Sequence, residues 1–308
     1  MKRVVSVSLG SSQRDHRVEL EILGQRVLIE RIGCDGDEAR ARQLYRELDG
    51  QVDALGVGGM DLGLRVYDKV YPLHAPRRIV QDVRQTPLVD GDGVRRIVER
   101  QVMQWVEAEI GAELYPKRAL ITTAVDRFDM ALSFHDAGYD TVYGDFMFSL
   151  GLPIPIKGLR TLRILAALLL PVLGRLPFSM LYPTGEKQEV IVPKWGRWYG
   201  WATVIAGDFN YIRRHMPGRL DGKSVVTNTT TAEDVELLRE RGVKYLITST
   251  PRLGGRTFGT NVMEALLVAL AGKGRPLSHE ELLEMMQQVD IRPTIQRLTD
   301  SLTRRLAA

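Results

Sequence analysis

The chain carries a single cysteine, Cys34, so it forms no disulfide within itself and holds no multi-cysteine metal site. Its five histidines, His16, His74, His135, His215 and His279, have none of the spacings that gather a metal ion, and no metal ligand is assigned. Neither a Walker-type G-x-x-x-x-G-K-[ST] segment nor a G-x-S-x-G elbow occurs, which speaks against P-loop NTPase and serine-hydrolase chemistry. Long apolar runs are scarce too. The most apolar stretch, "ILAALLLPVLG" from Ile164 to Gly174, is closed off by Arg163 and Arg175, well short of the ~20 residues a spanning helix needs. It reads as a buried helix, bent or ended near Pro171. The start, "MKRVVSVSLGSS", is too polar for a signal peptide, and a reducing cytoplasm is the expected location.

What is present is ordinary for a globular chain: 44% hydrophobic and 26% charged residues over a length that supports two domains. The net charge of +4 comes from bases interspersed with 38 acidic residues, without a stripe of bases and aromatics. Nucleic acid is therefore not expected as a partner, nor is a membrane; a homo-oligomer is allowed.

The N-terminal part opens with an alternating strand, "RVVSVSLG". Next comes "RVELEILGQRVLIERIG", two alternating runs about Gly24 and Gln25 with the pattern of a hairpin. An amphipathic helix, "DEARARQLYRELDG", precedes a buried strand that runs into the glycine cluster "GVGGMDLG", either a tight turn or a phosphate contact. A long helix is expected from about Val94 to Ile110, with a break at Pro116. The chain then repeats one pattern. "RALITTAV", "DRFDMALSFHDAG" and "TVYGD" give strand, helix and strand, and "KSVVTNTTTAEDVELLRERGVKYLITSTP" gives the same order again. The expected architecture is a β-rich α/β domain over residues 1–114, then a doubly wound, mostly parallel Rossmann-like domain over 115–308 with C-terminal helices, the last stretch "SHEELLEMMQQVDIRPTIQRL" reading as helical from a capping-box pattern of Ser278 with Glu281.

Several segments could carry chemistry. In "TSTPRLGGRTFGTNVMEALLVALAG" a strand ends in Ser and Thr, a glycine loop carries Arg252 and Arg256, and a helix begins near Thr260 and Asn261. Arg256, Thr257, Gly259, Thr260 and Asn261 are candidates to hold an anion at the helix start. The bland alternative, that Thr260 or Asn261 only caps the helix, stands beside it. Two "GDF" strand ends place Asp145 and Asp208 where parallel sheets present functional groups, or where a turn needs a cap. "PTGEKQ" offers Lys187 beside Glu186, an acid/base candidate or a solvated turn. The turn after the first strand of the parallel unit, "TTAVDRFDMA", has no glycine, which counts against an ordinary dinucleotide grip.

The segments "VSVSLGSSQRDHRVE", "VDALGVGGMDL", "AVDRFDMA", "LPIPIKGLRTLRI", "RLPFSMLYPTGEKQE", "WATVIAGDFNYIRRHMP" and "GRTFGTNVMEALLVA" together resemble a bacterial family labelled quinate 5-dehydrogenase. The resemblance implies an NAD- or NADP-dependent dehydrogenase of a small hydroxylated acid such as quinate or shikimate. Neither the glycine-rich loop nor the lysine–aspartate pair of the well-understood dehydrogenases stands at a matching position, so no catalytic residue carries over. On this reading Lys187 and Asp208 are the acid/base and substrate-orienting candidates. Asp126, Arg127, Asn228 and the residues from Arg256 to Asn261 would hold the cofactor or an anionic small-molecule substrate. The alternative is a non-catalytic binding protein for a phosphorylated or carboxylated metabolite.

Overall fold

The computed structural model describes residues 1–177, 190–250, 252–253 and 256–299. It is a mixed α/β protein with two large sheets, each rich in parallel strands.

The first sheet is built from β1 (Lys2–Ser8), β2 (His16–Ile22), β3 (Gln25–Gly33), β4 (Ala54–Gly58) and, after the small hairpin of β5 (Gly63–Val66) and β6 (Lys69–Pro72), β7 (Leu88–Val89). β2 and β3 form the expected hairpin; Leu23 and Gly24 both turn with positive φ, the backbone a two-residue hairpin needs. The order is β2-β3-β1-β4-β7, with β3, β1, β4 and β7 parallel. Helices α1 (Glu38–Leu48) and α2 (His74–Val80) pack on one face, through Leu44, Tyr45 and Ile79. The Tyr45 hydroxyl donates to the Val7 carbonyl at 2.9 Å, which satisfies the one polar atom of a fully buried ring.

Helix α3 (Asp92–Ile110) leads to the second sheet. This contains β8 (Arg118–Ile121), α4 (Phe128–Asp136), β9 (Asp140–Tyr143), α5 (Asp145–Leu150), β10 (Ile156–Lys157) and α6 (Leu159–Leu173). After the segment 178–189, which lies outside the described residues, come α7 (Gly196–Trp201), β11 (Val204–Ala206), α8 (Phe209–His215), β12 (Ser224–Thr227), α9 (Ala232–Glu240) and β13 (Tyr245–Thr248). Both strand–helix–strand units read from the sequence are present and parallel. With β16 (Thr294–Arg297) from the far C-terminal part, the order β10-β9-β8-β11-β12-β13-β16 runs parallel from β9 to β13 and has a short antiparallel strand at each edge. Both "GDF" strand ends open short helices, α5 and α8.

The C-terminal part returns to the first sheet. A two-residue ladder joins β14 (Arg252–Leu253) to β15 (Arg256–Thr257), and α10 (Thr260–Ala271) then packs on β1 and β4. From Val262 to Leu270 every residue of α10 is buried, as expected of a helix that is apolar nearly all round. Helix α11 (His279–Val289) covers α10 and α3, and its start is the predicted capping box, with Ser278 and Glu281 exchanging bonds at 3.3 and 2.7 Å. The helical reading of "IRPTIQR" is corrected: Asp290 turns left-handed and ends the helix, and β16 (Thr294–Arg297) closes the edge of the second sheet.

Helix α3 belongs to two cores. Val94, Ile97 and Val98 pack with α10 on the first sheet; Val102, Met103 and Val106 pack with Phe128 and Phe134 on the second. The apolar helix α6 is only half buried. Leu162, Ala166 and Leu170 face the core, whereas Leu168 is 67% and Val172 63% exposed. Pro171 lies inside its last turn, and the helix runs two residues beyond it.

Candidate functional site

In a doubly wound sheet the crevice lies beyond the carboxyl ends of the strands, where the strand order reverses. In the second sheet that point is between β8 and β11, whose continuations are Thr122–Arg127 and Gly207–Asp208. Asp126, Arg127, Asp208 and Asn228 meet there. Arg127 spreads its guanidinium over three carboxylates: Nη1 to Glu99 Oε1 at 2.7 Å, Nη2 to Asp208 Oδ2 at 3.0 Å and Nε to Asp126 Oδ2 at 3.3 Å. The Asn228 amide donates to the same Asp208 oxygen at 2.8 Å. Asp208 Oδ1 caps α8 through the Asn210 N–H at 2.9 Å, so this residue serves both as a turn cap and as part of the cluster.

The chain of charges continues toward the first sheet. Arg95 Nη1 reaches Asp61 Oδ1 at 2.6 Å, in the loop after β4, and Asp126 Oδ1 at 3.8 Å; its Nη2 lies 3.4 Å from Asp92. Arg95 and Glu99 are one turn apart on α3 and both are buried. Asp61, Arg95 and Glu99 were not singled out in the sequence. Their signal was available: Arg95, Glu99, Val102 and Val106 share one helical stripe, so two opposite charges sit on the face that must be buried.

Two guanidiniums, Arg95 and Arg127, thus stand among five carboxylates, Asp61, Asp92, Glu99, Asp126 and Asp208. Burial and the neighbouring Asp61 push the Asp126 carboxyl up to about 7, against the pull of Arg127 and Arg95. Burial likewise raises Glu99, with Arg127 opposing it. Asp145 accepts the Val125 N–H at 2.8 Å and so holds the loop after β8; burial carries its carboxyl to about 6. Thr123 Oγ1, Asp126 Oδ1, Arg127 Nε and Asp145 Oδ2 are buried atoms with no hydrogen bond among the described residues.

The remaining candidates lie elsewhere. Lys187 is outside the described residues. The backbones of Arg256 and Thr257 form β15. Thr260 and Asn261 pack against the first sheet and the turn after β7: the Asn261 amide donates to Ser6 Oγ at 2.7 Å, and a Cβ on Gly91 would strike the Asn261 backbone nitrogen and Thr260. The start of α10 is thereby a packing contact, and Gly259 caps it without a side chain. Its Glu264 in turn caps α3, accepting the Val94 N–H at 3.0 Å.

Glu264 and Asp90 also line a cavity of about 310 Å³ that reaches Arg65, Arg96 and His279. Burial raises both carboxyls, Glu264 to about 7. Among the described residues no group of three or more His, Cys, Asp or Glu side chains is placed to hold a metal ion.

Residues 3–90 match the family model described as Domain of unknown function (DUF8753). No protein of curated function matches the chain. Solved structures resemble it at low similarity. A solute-binding protein of an ABC transporter from Agrobacterium vitis, bound with α-D-tagatopyranose, is 8% identical with a TM-score of 0.41, covering 100% of this chain and 98% of that one. A glucose-galactose binding protein from Geobacillus stearothermophilus is 9% identical with a TM-score of 0.39, covering 97% and 98%. A Mycobacterium smegmatis protein in complex with β-D-fucofuranose is 11% identical with a TM-score of 0.35, covering 97% and 100%. Likeness at this level carries no argument about what this chain binds.

The dehydrogenase expectation is corrected by these findings. Neither matching family model is that of quinate 5-dehydrogenase. An oxidoreductase, an NAD- or NADP-dependent quinate/shikimate-type enzyme and the cofactor itself are therefore withdrawn. The geometry supplies the physical reason. In the turn where a pyrophosphate needs bare backbone, Asp126 and Arg127 are locked in carboxylate pairs, and the surplus carboxylates repel a dinucleotide's phosphates. The second sheet keeps the 3-2-1-4-5-6 strand order usual for dinucleotides, as β10-β9-β8-β11-β12-β13, but β10 is a two-residue antiparallel edge strand, so the half built on β8 and β9 has no third parallel strand. The second family model covers residues 93–298, more than half of the sequence, and the chain belongs to the family described as Domain of unknown function (DUF8754).

Proposed function

We propose that the protein is a non-catalytic binding protein for a small, uncharged, hydroxyl-bearing metabolite, held in the crevice beyond β8 and β11. One observation carries the reading: at the strand-order reversal, donors and acceptors are mixed and carboxylates outnumber guanidiniums. Asp126 Oδ1 and Asp145 Oδ2 are acceptors without a hydrogen bond, Arg127 Nε meets Asp126 only as an ion pair at 3.3 Å and makes no hydrogen bond, and the Thr123 hydroxyl can donate or accept. A hydroxyl group both donates and accepts, so a polyol satisfies such a set, and each buried group left unpaired costs about 1–3 kcal/mol. A phosphate or carboxylate would need cations to spare, and both guanidiniums are already committed. The anionic ligand expected from the sequence is therefore the less favoured version of the same binding role.

Thermal unfolding in the presence of neutral monosaccharides and polyols, with phosphorylated sugars, quinate and shikimate alongside, tests this. A ligand at a hundred times its dissociation constant stabilises the fold by about 2.7 kcal/mol. The expected result is stabilisation by a neutral polyol that Asn228→Leu abolishes, since Asn228 orients Asp208. Stabilisation by anionic compounds alone would overturn the neutral-ligand reading.

A further inference from the structure

We infer that the outward face of α6 (Leu159–Leu173) is a docking surface for an anionic lipid bilayer, which it meets lying flat. Among the described residues, the helix exposes Ile164 at 47%, Leu168 at 67% and Val172 at 63%. These sit at i, i+4 and i+8, one stripe along the side opposite Leu162, Ala166 and Leu170. Arg160 stands one turn before the stripe and Arg175 just beyond the helix on the same side; both are exposed, as are Lys157 and Arg163 at its margin. None of the four makes an ion pair among the described residues, whereas most arginines elsewhere in the chain face a carboxylate. The sequence is continuous with this: from Phe146 to Gly185 there are four bases and no aspartate or glutamate.

An exposed aliphatic stripe set between cations has the chemistry of an interfacial helix. The side chains enter the acyl boundary and the bases meet lipid phosphates. The alternatives fit less well. A second copy docked antiparallel would bring Arg160 of one chain toward Arg175 of the other, with no carboxylate to separate them. A protein partner is usually met by aromatic anchors, and this stripe is wholly aliphatic. Spanning is a different matter: among the described residues no helix is long and apolar enough to cross a membrane. The inference is independent of the ligand crevice.

Co-sedimentation of the full chain with vesicles tests it, using phosphatidylcholine alone and phosphatidylcholine with phosphatidylglycerol. The expected result is binding to the phosphatidylglycerol vesicles only, weakened by salt. Leu168→Asp should lower it about ten-fold or more. Arg160→Glu with Arg175→Glu should lower it by at least about 25-fold, at about five-fold per base near an anionic surface. Both variants alter exposed positions, and an unchanged melting temperature confirms that they fold. The proposal is overturned if the native chain ignores anionic vesicles, binds pure phosphatidylcholine equally, or keeps its binding in Leu168→Asp. Reversible self-association through this face without vesicle binding, or binding of polyglutamate in its place, overturns it as well.

Discussion

Arg127 is the residue on which most of the crevice depends. It is 6% exposed, and its partner Glu99 is 1% exposed, so neither charge has solvent to fall back on. Replacing Arg127 by Met strands the Glu99 carboxylate, and breaking a buried pair from one side costs about 3–5 kcal/mol. Urea unfolding should show that loss, and Glu99→Leu on the same background should recover part of it. Glu264 provides a second test, through pH. Its folded carboxyl titrates near 7, above an unfolded value of about 4.3, so the folded state keeps a proton that the unfolded state releases between those values. Stability should therefore fall as pH rises from about 4 to 7 and level off above. In Glu264→Gln, which keeps an acceptor for the Val94 N–H, denaturant midpoints at pH 5 and pH 8 should lie closer together than in the native chain.

At the scale of elements, much was legible because periodicity reports local structure. The hairpin about Gly24, both strand–helix–strand units and the box at Ser278 were all present in the pattern of residues. What the pattern withheld was which sheet a helix serves. "GGRTFGTN" has the composition of an anion loop, yet the run from Val262 to Leu270 is buried all round and apolar but for Glu264, and only a helix pressed between layers tolerates that. Asp126, Arg127, Asp208 and Asn228 could be named singly, since each ends or follows a strand. Their convergence, and the part of Arg95 and Glu99 from α3, depends on a strand order that no local pattern encodes. The close seating of α10 yields a prediction. Gly91 has φ +87° and its missing side chain makes room for the backbone of Asn261. Gly91→Ala should lose about 1–3 kcal/mol from backbone strain alone, with more from the collision, seen as a clear drop in melting temperature.

At the scale of the whole molecule, α3 contributes apolar residues to both cores, and α10 and α11 return from the second half to cover the first sheet. We propose the division near residue 114 as an architectural one, with neither part self-sufficient. A fragment of residues 1–114 lacks α10, leaving Val4, Val27, Ile29 and Ala54 without their cover. It should fail to fold alone, and the intact chain should unfold in one calorimetric transition. Two resolved transitions would show that the two cores are energetically separate.

The path of the backbone between the sheets has one more consequence. The chain passes from the first sheet to the second along α3, comes back ahead of α10, and passes over again between α11 and β16. Three crossings tie the lips of the crevice together, as three hinges hang one door. Any opening has to bend all three about a common axis, so a ligand of the proposed crevice beyond β8 and β11 would meet a slot that widens by rotation and has little freedom to shear or twist.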